Sequence, residues 1–318
     1  MPEHRRLALL LLPLLAALCG FGPLPEDQAR LRQAIEALQP QRPGVPDLYV
    51  LAVAGDGSEQ VFRNEVLHLR ALAGRRLDAG GRVLVLANHP PEPGVPALPL
   101  ARIDNLRAAL KGIGARMDAG EDLLLLYISS HGTEEHQLFL HSPEHGEQLL
   151  DPKTLRRALD EAGIRHRVLV ISACFSGGFI PALRDEHSLV LTAARHDRPS
   201  FGCGNDSVAT YFGRAWLVDG LNRSVDFEQA FLAARESITA RERAEDRLPS
   251  QPQMARGARI GERLAAWRAS FTPGPPLRYA WREPEADAVA GTAERPRKVS
   301  GGPSVKLKVK KPSAVDKR

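Results

Sequence analysis

Two apolar runs constrain this chain more than anything else in it. From Val168 the sequence reads Val-Leu-Val-Ile and passes at once into Ser172, Ala173, Cys174, Phe175, Ser176, Gly177 and Gly178. From Asp122 it reads four leucines, Tyr127 and Ile128, then Ser129, Ser130, His131 and Gly132. Each run is strand-length, and each is too uniformly apolar for a strand with one wet face. That is the pattern of parallel strands buried on both faces. In an open α/β sheet, functional groups gather outside the carboxyl ends of the strands. A Cys and a His, each delivered to such an end and one crossover apart, are expected to share an edge.

The rest of the chain alternates in the same sense. Strands are expected over 48–54, 82–87 and 188–193, with a short one over 137–141. Helices are expected over 25–39, 59–72, 104–117, 151–162, 209–217 and 226–240. Asp151-Pro152 opens the helix before the Cys174 strand cleanly, because Asp is a good N-cap and Pro suits the first turn; Gly163 closes it. Strands alternating with helices give an α/β fold with a mostly parallel central sheet and helices on both faces. Pro-rich stretches at 40–46, 90–99 and 273–276 read as loops and linkers, residues 241–247 as a solvated charged surface, and 249–253 as a loop at the sheet edge.

Both termini have a different composition. Residues 7–18 form a twelve-residue apolar run behind His4, Arg5 and Arg6, the form of a secretory signal and too short to span a bilayer. The expected organisation is a signal over 1–20, a helix and Pro-rich linker over 21–46, a catalytic-type domain over 47–272 and a tail over 273–318. An exported protein, periplasmic or extracellular, follows from the leader. The net charge of +5 belongs to the tail, where residues 295–318 carry nine Lys or Arg against one Asp. By subtraction the remainder is about −3, so no nucleic-acid footprint covers the body. The lysines around Val305, Leu307 and Val309 suit peripheral contact with anionic lipid, although most such tails are simply solvated.

Three cysteines are too few for a disulfide scaffold. Cys19 lies in the leader. Cys203 is read as structural or redox-sensitive, and both it and Cys174 are expected to be reduced. A lone cysteine is ordinarily an inert core residue. Cys174 differs: a thiol at a strand end, facing backbone N–H groups and the start of a helix, is expected to favour its thiolate form. The thiolate is the nucleophile. Ser176 lacks the Gly-x-Ser-x-Gly elbow of a serine nucleophile and reads as a helix cap. His131, His136, His141 and His145 show no metal-ligand spacing, so neither metal nor cofactor is expected.

Strand–His131-Gly132 followed by strand–Ala173-Cys174-x-Ser176-Gly177-Gly178 resembles the legumain-type cysteine peptidases, relatives of the caspases, over about two thirds of the chain, residues 47–256. The resemblance implies a caspase-like fold, a peptide or protein substrate, Cys174 as nucleophile and His131 as its partner. It also implies an oxyanion hole from the backbone N–H groups of Gly132 and Cys174. Legumain-like peptidases that cut after Asn line the first pocket with one arginine and two acidic groups. Arg63 matches the arginine, but the acidic positions hold Ser172 and Arg214 in this chain. The family's asparagine near the catalytic pair has no clear counterpart; Val61 lies closest. Two arginines without a carboxylate would favour an acidic residue before the cut, so Asp or Glu is expected as readily as Asn. Ser200 falls in the family's substrate-wall region. Alternatives in the same frame are a transpeptidase or transamidase, and a non-catalytic peptide-binding module.

Overall fold

The computed structural model describes residues 25–282. The leader and the basic tail lie outside the described residues.

In chain order the first elements are α1 (Pro25–Glu36), β1 (Leu48–Ala54), α2 (Gln60–Arg76), β2 (Val83–Ala87), α3 (Ile103–Gly114) and β3 (Leu123–Ser129). A hairpin, β4 (Leu138–Ser142) and β5 (Gly146–Leu150), then precedes α4 (Pro152–Glu161) and β6 (His166–Ser172). A single 3₁₀ turn, Ser176–Phe179, leads into α5 (Ile180–Leu183) and β7 (Ser188–Thr192). A π-helical stretch, Gly213–Gly220, runs into α6 (Leu221–Arg223), followed by α7 (Phe227–Ala244), β8 (Gln253–Arg256) and α8 (Ile260–Ala269).

Six strands form one sheet in the order β2-β1-β3-β6-β7-β8. The first five are parallel, and β8 closes the edge antiparallel to β7. Every residue of β1, β3 and β6 is buried, which explains why these strands carry no polar alternation. Their side chains alternate between two cores. Leu48, Val50 and Ala52 join α2, α7 and α8 through Phe62, Val66, Phe231 and Trp267. Tyr49, Leu51 and Val53 join α1, α3 and α4 through Leu31, Leu110 and Leu159. The result is the expected layering, helices on both faces of a mostly parallel sheet.

Helix α1 is built into the second core. Its Asp27 is buried, accepting from the Leu100 N–H at 2.8 Å and from Asn105 Nδ2 at 2.6 Å. Asp151 caps α4 as expected, accepting from the Lys153 and Thr154 N–H groups, and Gly163 follows at φ +67°.

Three local expectations are refined. The edge loop expected over 249–253 stands over 249–252, and from Gln253 the chain enters β8, which pairs with the open side of β7. The charged run at 241–247 is exposed as expected except for buried Glu242; α7 runs into it as far as Ala244, Arg241 stacks on Tyr211 at 3.6 Å, and Arg247 lies 5.3 Å from the Phe201 ring. The helix expected over 209–217 is wound as the π-helical stretch, with Trp216 buried between Tyr127 and Phe212.

Register fixes where the functional groups emerge. Ala54 pairs with Ser129, and Ser129 with Ser172, across three neighbouring strands. Two residues beyond that row stand Asp56, His131 and Cys174.

Candidate active site

The chain turns sharply directly after Cys174. Phe175 takes a left-handed φ of +55°, an uncommon conformation for a bulky residue and one often held at functional sites. The glycines that follow are required by close approach. A Cβ on Gly177 would stand 2.5 Å from the His196 amide nitrogen and 3.0 Å from the Ala194 carbonyl oxygen. Ser176 does not cap a helix; its Oγ accepts from the Ala194 N–H at 3.1 Å and ties the turn to the loop after β7.

That loop wraps the thiol. The Ser200 N–H donates to Cys174 Sγ at 3.2 Å, and the Phe175 N–H donates to the Arg198 carbonyl at 2.8 Å. Sγ in turn lies 3.5 Å from the Ser200 carbonyl. Burial pushes the Cys174 thiol above its ordinary range, while the Ser200 N–H pulls it back. The expected thiolate preference is thereby corrected. Only a 3₁₀ turn and a four-residue helix follow the thiol, too little to outweigh desolvation. Cys203 is also a free thiol, and burial followed by the nearby Cys174 pushes it up to about 11.

His131 sits at the end of β3 between two aromatic edges, with Phe62 at 5.1 Å and Phe139 at 6.5 Å, both T-shaped. Its Nε2 lies 3.2 Å from Glu59 Oε2. Gly132 brings the His and Cys segments into backbone contact. A Cβ there would overlap the Cys174 carbonyl oxygen, and would lie 3.2 Å from its carbon and 3.3 Å from the Ala173 Cβ.

Under this edge lies a carboxylate that sequence reading passed over. Glu65 is fully buried; its Oε2 accepts from Tyr127 Oη at 2.7 Å and Ser129 Oγ at 2.5 Å, and its Oε1 from the Thr210 N–H at 2.7 Å. Burial raises its pKa against the pull of those donors. Thr210 Oγ1 accepts from the Gly213 N–H and lies 3.2 Å from Ser172 Oγ. Ser172 is therefore part of a buried floor.

The two arginines face different neighbours. Arg63 is largely buried and donates to the Pro90 carbonyl at 2.9 Å and to Glu92 Oε1 at 3.0 Å. With Leu67, His89 and Pro91 it lines a cavity of about 360 Å³ beneath the Pro-rich loop. Arg214 lays its guanidinium over Tyr279 at 4.7 Å. Tyr279 Oη donates to the Val208 carbonyl, and its ring meets buried His68 edge-on at 5.0 Å.

Asp56, Glu59 and His131 place one donor each within 4.8 Å, the group of metal-type donors found among the described residues. Hydrogen bonds account for the set. Asp56 Oδ1 accepts from the Ser58 N–H at 2.8 Å and lies 3.3 Å from His141 Nδ1, while Glu59 faces His131. His136 and His145 point elsewhere, His136 against Gly178 and the His196 ring, His145 toward Glu144. The residues missed from sequence are Glu59 and Glu65. The available signal for Glu65 was a carboxylate three residues after Phe62 and next to Val66, on the face that a helix must bury.

Residues 105–255 match the model described as the Peptidase C13 family, the legumain family of cysteine peptidases. That stretch carries both His131 and Cys174, so the resemblance holds where the motifs lie. Among solved structures the chain is similar to a crystal structure of caspase-1 from Spodoptera frugiperda, at 13% identity and a TM-score of 0.45, covering 69% of this chain and 93% of that one. No curated protein sequence matches.

Proposed function

We propose that this protein is a cysteine endopeptidase that cleaves peptide bonds through an acyl-enzyme on Cys174. The observation that carries the reading is the backbone contact at Gly132, which joins the end of the His131 strand to that of the Cys174 strand. Burial raises the Cys174 thiol above its ordinary range, so the attack calls for a base. His131 takes the Sγ proton as the sulfur attacks the scissile carbonyl carbon and a C–S bond forms. The N–H groups of Gly132 and Cys174 receive the charge on the carbonyl oxygen. The C–N bond breaks, and the leaving amine takes the proton from His131. Water, losing its proton to His131, then attacks the thioester and returns the thiol.

The residue before the cut is proposed to be acidic or Asn. Arg63 supports this reading, because it already holds a carboxylate, Glu92, whose side chain is 68% exposed. That contact is a single N–H···O bond at 3.0 Å on an exposed side chain, and a substrate carboxylate that displaced Glu92 would meet the same charge. Export through residues 1–20 is part of the proposal, and fractionation of cells expressing the chain with and without them tests it.

The function is tested by a peptide library varied before the scissile bond, offered to purified protein and to its Cys174→Ala variant. Cleavage lost in the variant, with products of hydrolysed mass, supports the reading. Ligated products would identify a transpeptidase instead, and no cleavage with an unreactive Cys174 would favour a peptide-binding module.

A further inference from the structure

The resembled family places an asparagine beside its catalytic pair, and the nearest residue here, Val61, is buried in the apolar core. We propose that Glu59 does the work of the missing group: it is a positioning residue that fixes the ring and tautomer of His131. The inference rests on the peptidase reading above.

Three observations carry it. Glu59 Oε2 lies 3.2 Å from His131 Nε2, with the Glu59 side chain 19% exposed. Glu59 also occupies the N-cap position of α2 in an extended conformation, yet its carboxylate makes no cap bond to the helix. Glutamate is not one of the short side chains that cap well from this position, so its carboxylate is not engaged by the helix N–H groups and is directed at the imidazole. Finally, the β1–α2 turn is braced by the Ser58 N–H donating to Asp56 Oδ1, and Asp56 and His131 each lie two residues beyond the paired row Ala54–Ser129–Ser172.

The chemistry follows from what a carboxylate can do. It only accepts, so Nε2 must carry the hydrogen and donate. That leaves Nδ1 as the nitrogen with a lone pair, and proton exchange with Cys174 and the leaving amine passes through it. Phe62 and Phe139 hold the ring edge-on from two sides, but aromatic edges do not choose a tautomer. Glu59 does.

The test uses the full chain with Glu59→Gln, nearly the same shape, and Glu59→Ala. The Gln amide can either donate to Nε2 or accept from it, so it no longer selects one tautomer. Steady-state kinetics on the best library peptide should show kcat lower by about tenfold in Glu59→Gln and about a hundredfold in Glu59→Ala, with KM within about twofold. Histidine-selective nitrogen NMR, with the His131 signal identified by its loss in His131→Asn, should show a single Nε2–H tautomer in the wild type and a mixture in both variants. The proposal is overturned if both variants keep wild-type kcat and the His131 signals do not change. It is equally overturned if the Gln variant loses kcat only together with a rise in KM and a lower melting temperature, since that is a structural role. If the wild type cleaves nothing, the peptidase reading fails, and the NMR comparison still decides whether Glu59 sets the tautomer.

Discussion

Replacing Gly132 with alanine should disable the site without unfolding the protein. The added Cβ would overlap the Cys174 carbonyl oxygen and lie 3.2 Å and 3.3 Å from the Cys174 carbonyl carbon and the Ala173 Cβ. Two of those neighbours are backbone atoms, so no side chain can swing aside. Relief requires the ends of β3 and β6 to part by about 1 Å, and overpacking of this kind costs about 1–3 kcal/mol. In a described body of this size, 1 kcal/mol lowers the melting temperature by about 2–4 °C. A 1 Å displacement of catalytic groups costs about a hundredfold in rate. The expected result is therefore a folded variant with a melting temperature lower by about 2–12 °C and a kcat lower by about a hundredfold. Peptide cleavage and differential scanning fluorimetry on the same preparation measure both. Two controls separate geometry from stability. Gly163→Ala introduces left-handed strain at φ +67° with no neighbour within 4 Å, and should lower the melting temperature but not kcat. In Gly178→Ala the added Cβ would meet the root of the His136 ring, so the whole His136 side chain must swing about its Cα–Cβ bond; that displaces a side chain and not the β3–β6 backbone, and kcat should fall by less than about tenfold. A Gly132→Ala protein with wild-type kcat would refute the reasoning.

Three further expectations follow from the buried ionisable groups. Iodoacetamide should alkylate Cys174 slowly at neutral pH and faster above its ordinary range, and Cys203, pushed up to about 11, more slowly still; mass mapping across pH checks the order. His68 and His166 are pushed down to about 4 by burial. Between pH 6.5 and 4 the unfolded chain therefore binds protons that the folded one does not. Their contribution is present above pH 6.5 and lost as pH falls through 4, and urea titrations of wild type and His68→Phe should show a shallower loss in the variant. Glu65→Ala strands the Tyr127, Ser129 and Thr210 donors, each left unsatisfied at a cost of about 1–3 kcal/mol; chemical denaturation should show a loss of at least about 2 kcal/mol.

The sheet was readable where burial on both faces leaves a sequence no alternative. β1, β3 and β6 are runs that only a central parallel strand accommodates, and their ends announced His131 and Cys174. β8 was not readable, because Gln253, Met254, Ala255 and Arg256 have no strand pattern of their own and pair only because β7 offers an edge. β5 is similar, a mostly exposed strand held by its hairpin partner. The helical spacing of Ile260, Leu264 and Trp267 was in the sequence, and α8 buries those three. At the site, local motifs place the nucleophile and histidine but not what surrounds them. Glu59 and Glu65 lie on or beside α2, far in sequence from their partners, and look like ordinary helix-surface acids until the fold turns one to His131 and buries the other. The thiol's charge preference was misjudged for the same reason: the loop carrying Ser200 buries it, and nothing near Cys174 in sequence records that burial.

The central claim is that Cys174 carries the acyl group. A single-turnover reaction with an activated peptide ester, acid-quenched and analysed by peptide mass mapping, tests it directly. The account predicts a thioester confined to Cys174, formed in the wild type and absent from Cys174→Ala together with all turnover. Product formation with no acyl group on Cys174, or turnover that survives in Cys174→Ala, would contradict it.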